Sequence, residues 1–379
     1  MIVPFPAPGT ARLGPPERPE AQACLDAVVT AIAPGGGITE LQRTLIEAAF
    51  ASLTGHELEP TAERSPAQLA AVLADRDEAF RTRIVQTMVL GALVLRPLPA
   101  SVSDRVAAYA RELSVDDGML AVAHRFASGQ LGLAAVDFER NGYTADWRPE
   151  RASALHTSGE LTHAWEQAVD DPDLAARWQA FEHLPEGTLG RSIWAFYRAR
   201  GFAFPGQPGS APPLLAQHDF VHVLADYGTR VESELEVFAL IARADDDPRG
   251  FSLLAMVVSL FETGYLAEGA GLFEAFPGQL SRDGMAVRLA DALRRGARSH
   301  GLDGEPDVDL LAVDWFAHAH RPVAELRDQL GLLPKAPAAI AAGSVGPWAP
   351  GGISEFQHAA GTRLAEEEGR AYEAFGATP

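Results

Sequence analysis

Residues 217–238 read QHDFVHVLADYGTRVESELEVF and bring together imidazoles and carboxylates at short spacing. His218 and His222 are four apart, Asp219 adjoins the first, Asp226 follows the second by four, and Glu234 lies twelve beyond it. On a helix from Pro213 to about Asp226, with about 100° per residue, His218, His222, Asp226 and Asp219 fall at roughly 0°, 40°, 80° and 100°. All four share one quadrant. Ala216, Phe220, Val223 and Leu224 take the opposite arc, flanked by Leu214 and Val221. Two neutral imidazoles with one or two carboxylates are a donor set that suits a divalent metal with positions left open.

Spacing alone leaves other readings standing. A histidine pair with acids nearby also arises on solvated or interface faces, and a short ligand pattern has a real false-positive rate. HD-type phosphohydrolases use a His-Asp pair together with further ligands at wider spacing. Zincins use HExxH with a glutamate as base, where this chain has the shorter Asp219.

The elements that must position these residues are helices. DYGTR breaks the first, with Gly228 expected to supply the turn, and VESELEVFALIAR resumes; a short connection favours an antiparallel neighbour that brings Glu234 opposite the histidines. ELQRTLIEAAFASLTG ends on Gly55, a C-terminal cap. SPAQLAAVLADRDEAF opens with Ser65 as N-cap and Pro66 in the first turn, and SVDDGMLAVAHRFASG with Ser114 ahead of two acids. No alternating β-branched run occurs, so the expected class is all-α, with two helical bundles. Residues 1–20 read as a flexible arm and 21–150 as a helical domain. The polar, tryptophan-bearing stretch 144–185 joins it to a second domain at 155–335. In 336–379, the Pro/Gly/Ala-rich KAPAAIAAGSVGPWAPGG reads as a linker to a final helix.

Composition narrows the function classes. A net charge of -20 over 379 residues repels phosphate backbones and argues against nucleic acid as a partner. Cys24 is the only cysteine, which removes disulfide frameworks and thiolate zinc knuckles and suits a reducing cytoplasm. The start of the chain lacks a signal-peptide pattern, and MVLGALVL and FSLLAMVVSLF are too short to span a bilayer. The expectation is a cytoplasmic protein, soluble or peripheral on a membrane, whose Ala, Arg, Gly and Pro usage fits a GC-rich bacterium. RLADALRRGARSHG (288–301) is a basic island, read as a solvated face ahead of an anion- or lipid-binding one. The alternating histidines of HAHR from His318 fit poorly on one helical face and are set aside as ligands.

Two resemblances add to this reading. AIAPGGGITELQRTLI and TMVLGALVLRPLPASVSDRVAAYARELSV faintly resemble the TerB-like helical domain, but its paired acidic turns are replaced by Gly35, Gly36 and by Arg96, Pro97. A plain helical scaffold is preferred there. His218-Asp219-x-x-His222, eleven residues and Glu234 reproduce the HDxxHx11E signature of the Coq4 ubiquinone-biosynthesis family. LPEGTLGRSIWAFYRARGF (184–202) is similar to that family's LPxGTxG helix entry, and DWFAHAHRPVAELRDQLGLLP (314–334) to its closing segment. Ser233 and Asp226 stand where the family often has glycine.

The Coq4 resemblance implies a divalent metal, zinc first, on His218, Asp219, His222 and Glu234, with Asp226 beside them. It implies action on a prenylated quinone precursor or related isoprenoid lipid, removing a ring carboxylate and introducing oxygen at that carbon. It also implies organisation of other biosynthetic proteins. Asp219 or Glu234, if free of the metal, could move a proton; Asp219 is the first candidate. Zinc has no redox chemistry, so oxidation needs oxygen, another metal or a partner. The alternatives are a non-catalytic lipid-binding scaffold with a structural metal, and a metal-dependent hydrolase of the HD type.

Overall fold

The computed structural model describes residues 16–128, 170–258 and 278–373, apart from 57, 96, 209, 211, 212, 246–248 and 307. In chain order the helices are α1 (Arg18–Ile32), α2 (Glu40–Thr54), α3 (Pro66–Val72), α4 (Glu78–Leu93), α5 (Ala100–Glu112) and α6 (Met119–Ala127). After residue 170 come α7 (Pro172–Gln179), a 3-10 turn (Ala180–His183), α8 (Leu189–Arg200), α9 (Pro213–Ala225), α10 (Val231–Ala244) and α11 (Arg249–Val258). Then follow α12 (Met285–Arg298), α13 (Trp315–His318), α14 (Val323–Gln329), α15 (Pro337–Ala341) and α16 (Glu355–Glu367). The fold is all-α, and among the described residues no strand forms beyond one isolated bridge between Thr188 and Pro322.

Two compact units emerge, each drawn from separate stretches of chain. The first groups Met1–Ala145, Phe238–Arg298 and Pro334–Gly343; the second groups Asp146–Val237, Ser299–Leu333 and Ser344–Pro379.

The first unit illustrates how local signals become packing. Thr39 accepts from the Gln42 backbone while the Gln42 side chain accepts from Thr39, a capping box of about 1 kcal/mol. The other end of the same Gln42 amide is buried and donates to the Ile32 and Gly91 carbonyls, tying α2 to α1 and α4. Ser65 caps α3 with Pro66 in its first turn, and Gly55 closes α2 at φ 68°, as their sequence signals require.

Several expectations need correcting. The first helix starts at Arg18, inside the expected arm, because Pro19 is well placed in a first turn where its missing N–H costs nothing; residues before 16 lie outside the described set. Ser114 does not cap α6. It takes φ 56° and closes α5 while the Val115 amide reaches back to the Ala110 carbonyl. The basic island is not a solvated face: Arg288 and Arg295 of α12 are buried, and Arg294 folds onto buried Asp291 at 2.7 Å. Within the stretch read as a polar join, α7 brings Trp178 into the interior at 1% exposure. The Pro/Gly/Ala tract 335–352 contains α15 and packed backbone, with Ser344 buried and Gly346 against Asp226.

In the second unit Trp178 is the hub of an aromatic core. Tyr197 and Phe220 lie 5.1 Å from it between ring centroids, and Phe316 packs edge-on at 5.5 Å. Burying such rings contributes a few kcal/mol each, roughly 1.5–3 per large side chain. This core fixes the rotation of α8 and α9, and therefore where the polar face of α9 points.

Candidate metal centre

α9 spans Pro213–Ala225 and is buried on several sides: Ala216, Phe220, Val221, Val223 and Leu224 are all at 3% exposure or less. Its C-terminal end is held by Arg327 of α14, which donates to the Leu224 carbonyl at 2.7 Å and the Val223 carbonyl at 2.9 Å. A guanidinium at these free carbonyls satisfies the helix end and complements its dipole. Asp226 then adopts φ 61° and ends the helix, so the left-handed turn falls on Asp226 and not on Gly228. Gly228 serves a different need: a Cβ there would come within 2.7 Å of the Gly352 backbone.

His218, Asp219 and His222 project from one face of α9 and place ligand atoms within 4.8 Å of one another, all buried. Glu234, in the first turn of α10, reaches both rings: its Oε2 is 3.4 Å from His218 Nε2 and 3.2 Å from His222 Nε2. His218 Nε2 is also 3.5 Å from Asp219 Oδ1. The Asp226 carboxylate lies against Gly346, where an added Cβ would meet Oδ1 at 2.3 Å. His318 Nδ1 lies 3.3 Å from Arg321 Nη1.

The electrostatics follow from burial. Desolvation raises the Asp219 carboxyl above the ordinary range, with the two imidazoles opposing it. Desolvation also works against a charged Glu234, but His222 and His218 outweigh it and hold this carboxyl well below the usual range. Two carboxylates in one pocket are thus driven apart. His222 Nδ1 is buried with no hydrogen-bond partner among the described residues.

Two residues that pattern reading overlooked complete the site. The buried Tyr197 hydroxyl donates to Asp219 Oδ2 at 2.6 Å, and burial followed by the nearby Asp219 charge pushes its phenol well up. Arg200, one turn on, is fully buried: it donates to Thr229 Oγ1 at 2.9 Å and the Pro347 carbonyl at 2.9 Å, and lies 3.7 Å over Phe196. Desolvation lowers its guanidinium to about 9, opposed by Asp219. Both sit in WAFYRAR, whose i, i+3 relation places Tyr197 and Arg200 on one face.

The donor set can be tested for fit to a metal. Charge-assisted hydrogen bonds between imidazole and carboxylate run about 2.7–2.9 Å; here the three separations are 3.2–3.5 Å. Neighbouring donors around a tetrahedral ion, at bond lengths of about 2.0–2.2 Å, stand roughly 3.3–3.6 Å apart. The His222–Glu234 pair at 3.2 Å is also within hydrogen-bonding reach, and His218, Asp219, His222 and Glu234 form a donor set that could hold a divalent cation.

Fold and site together define a helical protein with a buried two-histidine, two-carboxylate cluster. No family model and no curated protein matches the chain. Among solved structures, a protein of Nostoc punctiforme provisionally assigned to ubiquinone biosynthesis aligns with 57% of this chain and 97% of its own length, at 22% identity and a TM-score of 0.31.

Proposed function

We propose that this protein is a metal-dependent member of quinone or related prenylated-ring biosynthesis, resembling the Coq4 family and acting in oxidative decarboxylation of a prenylated ring carboxylate. The observation that carries the reading is the convergence of His218, Asp219, His222 and Glu234, at the HDxxHx11E spacing, into one buried cluster. A divalent cation, zinc first, would supply Lewis-acid polarisation of an acidic headgroup. The chain supplies the rest. His218, His222 and Glu234 hold the charge balance, while Tyr197 fixes the rotamer of Asp219 through its hydrogen bond. Asp219, its proton affinity raised by burial, is the group suited to take a proton. His222 is withdrawn from water at 0% exposure, while His218, Asp219 and Glu234 keep 5%, 6% and 7%. Zinc has no redox chemistry, so the oxidation needs dioxygen, another metal or a partner protein. With dioxygen, one oxygen atom would enter the ring as the carboxylate leaves as carbon dioxide, and a two-electron reductant would take the other to water.

Among the described residues no helix is long and apolar enough to cross a membrane, so contact with an isoprenoid substrate would be made from a membrane surface or in a groove. The test is metal analysis of purified protein, followed by incubation with a prenylated hydroxybenzoate in air. One equivalent of metal and loss of the ring carboxylate are expected, with Asp219→Asn retaining ligand binding and losing turnover. Metal-independent lipid binding with no decarboxylation under oxygen would leave the scaffold reading in its place.

A further inference from the structure

The two faces of α8 carry different chemistry. At about 100° per residue, Ile193, Phe196, Tyr197 and Arg200 share the arc that faces the cluster, and Arg191, Trp194, Ala195 and Arg198 share the opposite one. The second arc lines a cavity of about 560 Å³, closed by Trp348 and by Arg370 from the chain beyond α16. That volume lies in the range of small-molecule sites, roughly 300–1,000 Å³.

Three guanidinia and two indoles line this one cavity in a protein whose net charge is -20. Arg191 stacks on the Trp194 ring, its carbon 4.5 Å from the centroid, and Arg198 approaches the same ring at 6.0 Å. Trp348 is pinned edge-on against Phe196, with centroids 6.3 Å apart. Glu368 bridges Arg198 and Arg370, pairing with the first and meeting Arg370 Nε at 2.7 Å. This one carboxylate is shared between the two guanidinia. Arg198 Nε and Arg370 Nη2 are buried with no acceptor among the described residues. The remaining lining acids, Glu186 and Glu373, are exposed, where water screens them. Burial, then the neighbouring Arg370 charge, lowers the Arg198 guanidinium against the opposing charge of Glu182.

We infer that this cavity is a second ligand site, on the far face of α8 from the histidine cluster, which takes a small planar organic anion with its ring on the indoles and its charge on Arg198 and Arg370. A guanidinium fork matches carboxylate and phosphate geometry, and indole faces give a flat ring a stacking partner. A carboxylate and a phosphate ester satisfy the same donors, so both are tested.

The experiment is calorimetric titration of the full chain with 2-naphthoate, 2-naphthyl phosphate and neutral 2-naphthol. The anions are expected to bind saturably and at least about tenfold more tightly than the naphthol, and the tighter anion identifies the preferred group. Arg370→Gln and Trp194→Leu should each weaken the anion about tenfold and leave metal content unchanged. Protein stripped of metal with a chelator should bind the anion as well as untreated protein, which separates this cavity from the cluster. Equal affinity for naphthol, loss of binding on metal removal, or full affinity in both variants would each overturn the proposal. Arg191→Gln, at a half-exposed position, provides the same readout should either variant fold poorly.

Discussion

The Tyr197 hydroxyl and Asp219 Oδ2 are joined by a 2.6 Å hydrogen bond in a fully buried setting. A phenol held there can only donate, so it orients the carboxylate and favours its charged form against the desolvation that raises it. Tyr197→Phe should keep the metal bound but cut affinity or turnover about 10–100-fold, the usual effect of removing a ligand's supporting partner. Competition titration against a metal chelator reads this directly. A variant indistinguishable from the parent would remove Tyr197 from the site.

His222 is the ligand candidate at 0% exposure, with Glu234 as its buried partner. In His222→Ala the Glu234 carboxylate loses the imidazole that opposes its desolvation. Metal should be absent by elemental analysis while far-UV helicity persists, and the metal-free variant should be less stable than metal-free parent by roughly 3 kcal/mol. Full metal content in both His222→Ala and His218→Ala would show the ion, if any, to be held elsewhere.

Away from the cluster, Asp309 offers a pH test of stability. Burial raises its carboxyl from 3.8 to about 6, only partly offset by the Leu311 and Ala312 amides. The folded state therefore binds this proton more tightly than the unfolded one. The group costs nothing below the unfolded value and destabilises progressively as pH rises from about 4 through 6. Asp309→Asn should leave denaturation unchanged near pH 4 and add about 2 kcal/mol near pH 7.5. Urea melts at both values check the sign.

A fragment beginning at Arg151 tests whether the chain divides serially. All four candidate ligands fall within Asp146–Val237, so such a fragment keeps them. It also keeps α12, which packs on α2, and the cavity lining where Ala286, Val287 and Ala290 meet Leu25, Ile46 and Phe50. With residues 1–150 removed that apolar face is bare, and the fragment is expected to aggregate. A soluble monomer with full metal content would instead establish 155–335 as an independent domain.

Much of this was legible because it is local. Ser65, Pro66 and Gly55 act through their own turn of backbone, and the quadrant shared by His218, Asp219 and His222 follows from helical period alone. What escaped is tertiary. Nothing near Ser114 announces that Val115 will bond back across it, and nothing in 288–301 says that an arginine-rich face turns inward. Arg200 is the clearest case, since its acceptors Thr229, Pro347 and Gly352 are remote in sequence and assemble only in the folded chain. Tyr197 was hidden for the same reason: its partner is a helix away.

The turn between α9 and α10 is finished by residues more than a hundred positions later. The Gly228 amide donates to the Val345 carbonyl at 3.0 Å, the Thr229 amide to Gly352 at 2.9 Å, and Arg200 to Pro347. During synthesis at about 5–20 residues per second, the histidines leave the ribosome roughly 10 s before the segment that fixes Glu234 relative to them. On this geometry the turn that sets Glu234 against the histidines is completed only once residues 345–352 have been made. Any ion is therefore expected to be captured only after this segment has emerged, and a chain ending before Val345 should be helical and fail to load metal, as elemental analysis would read.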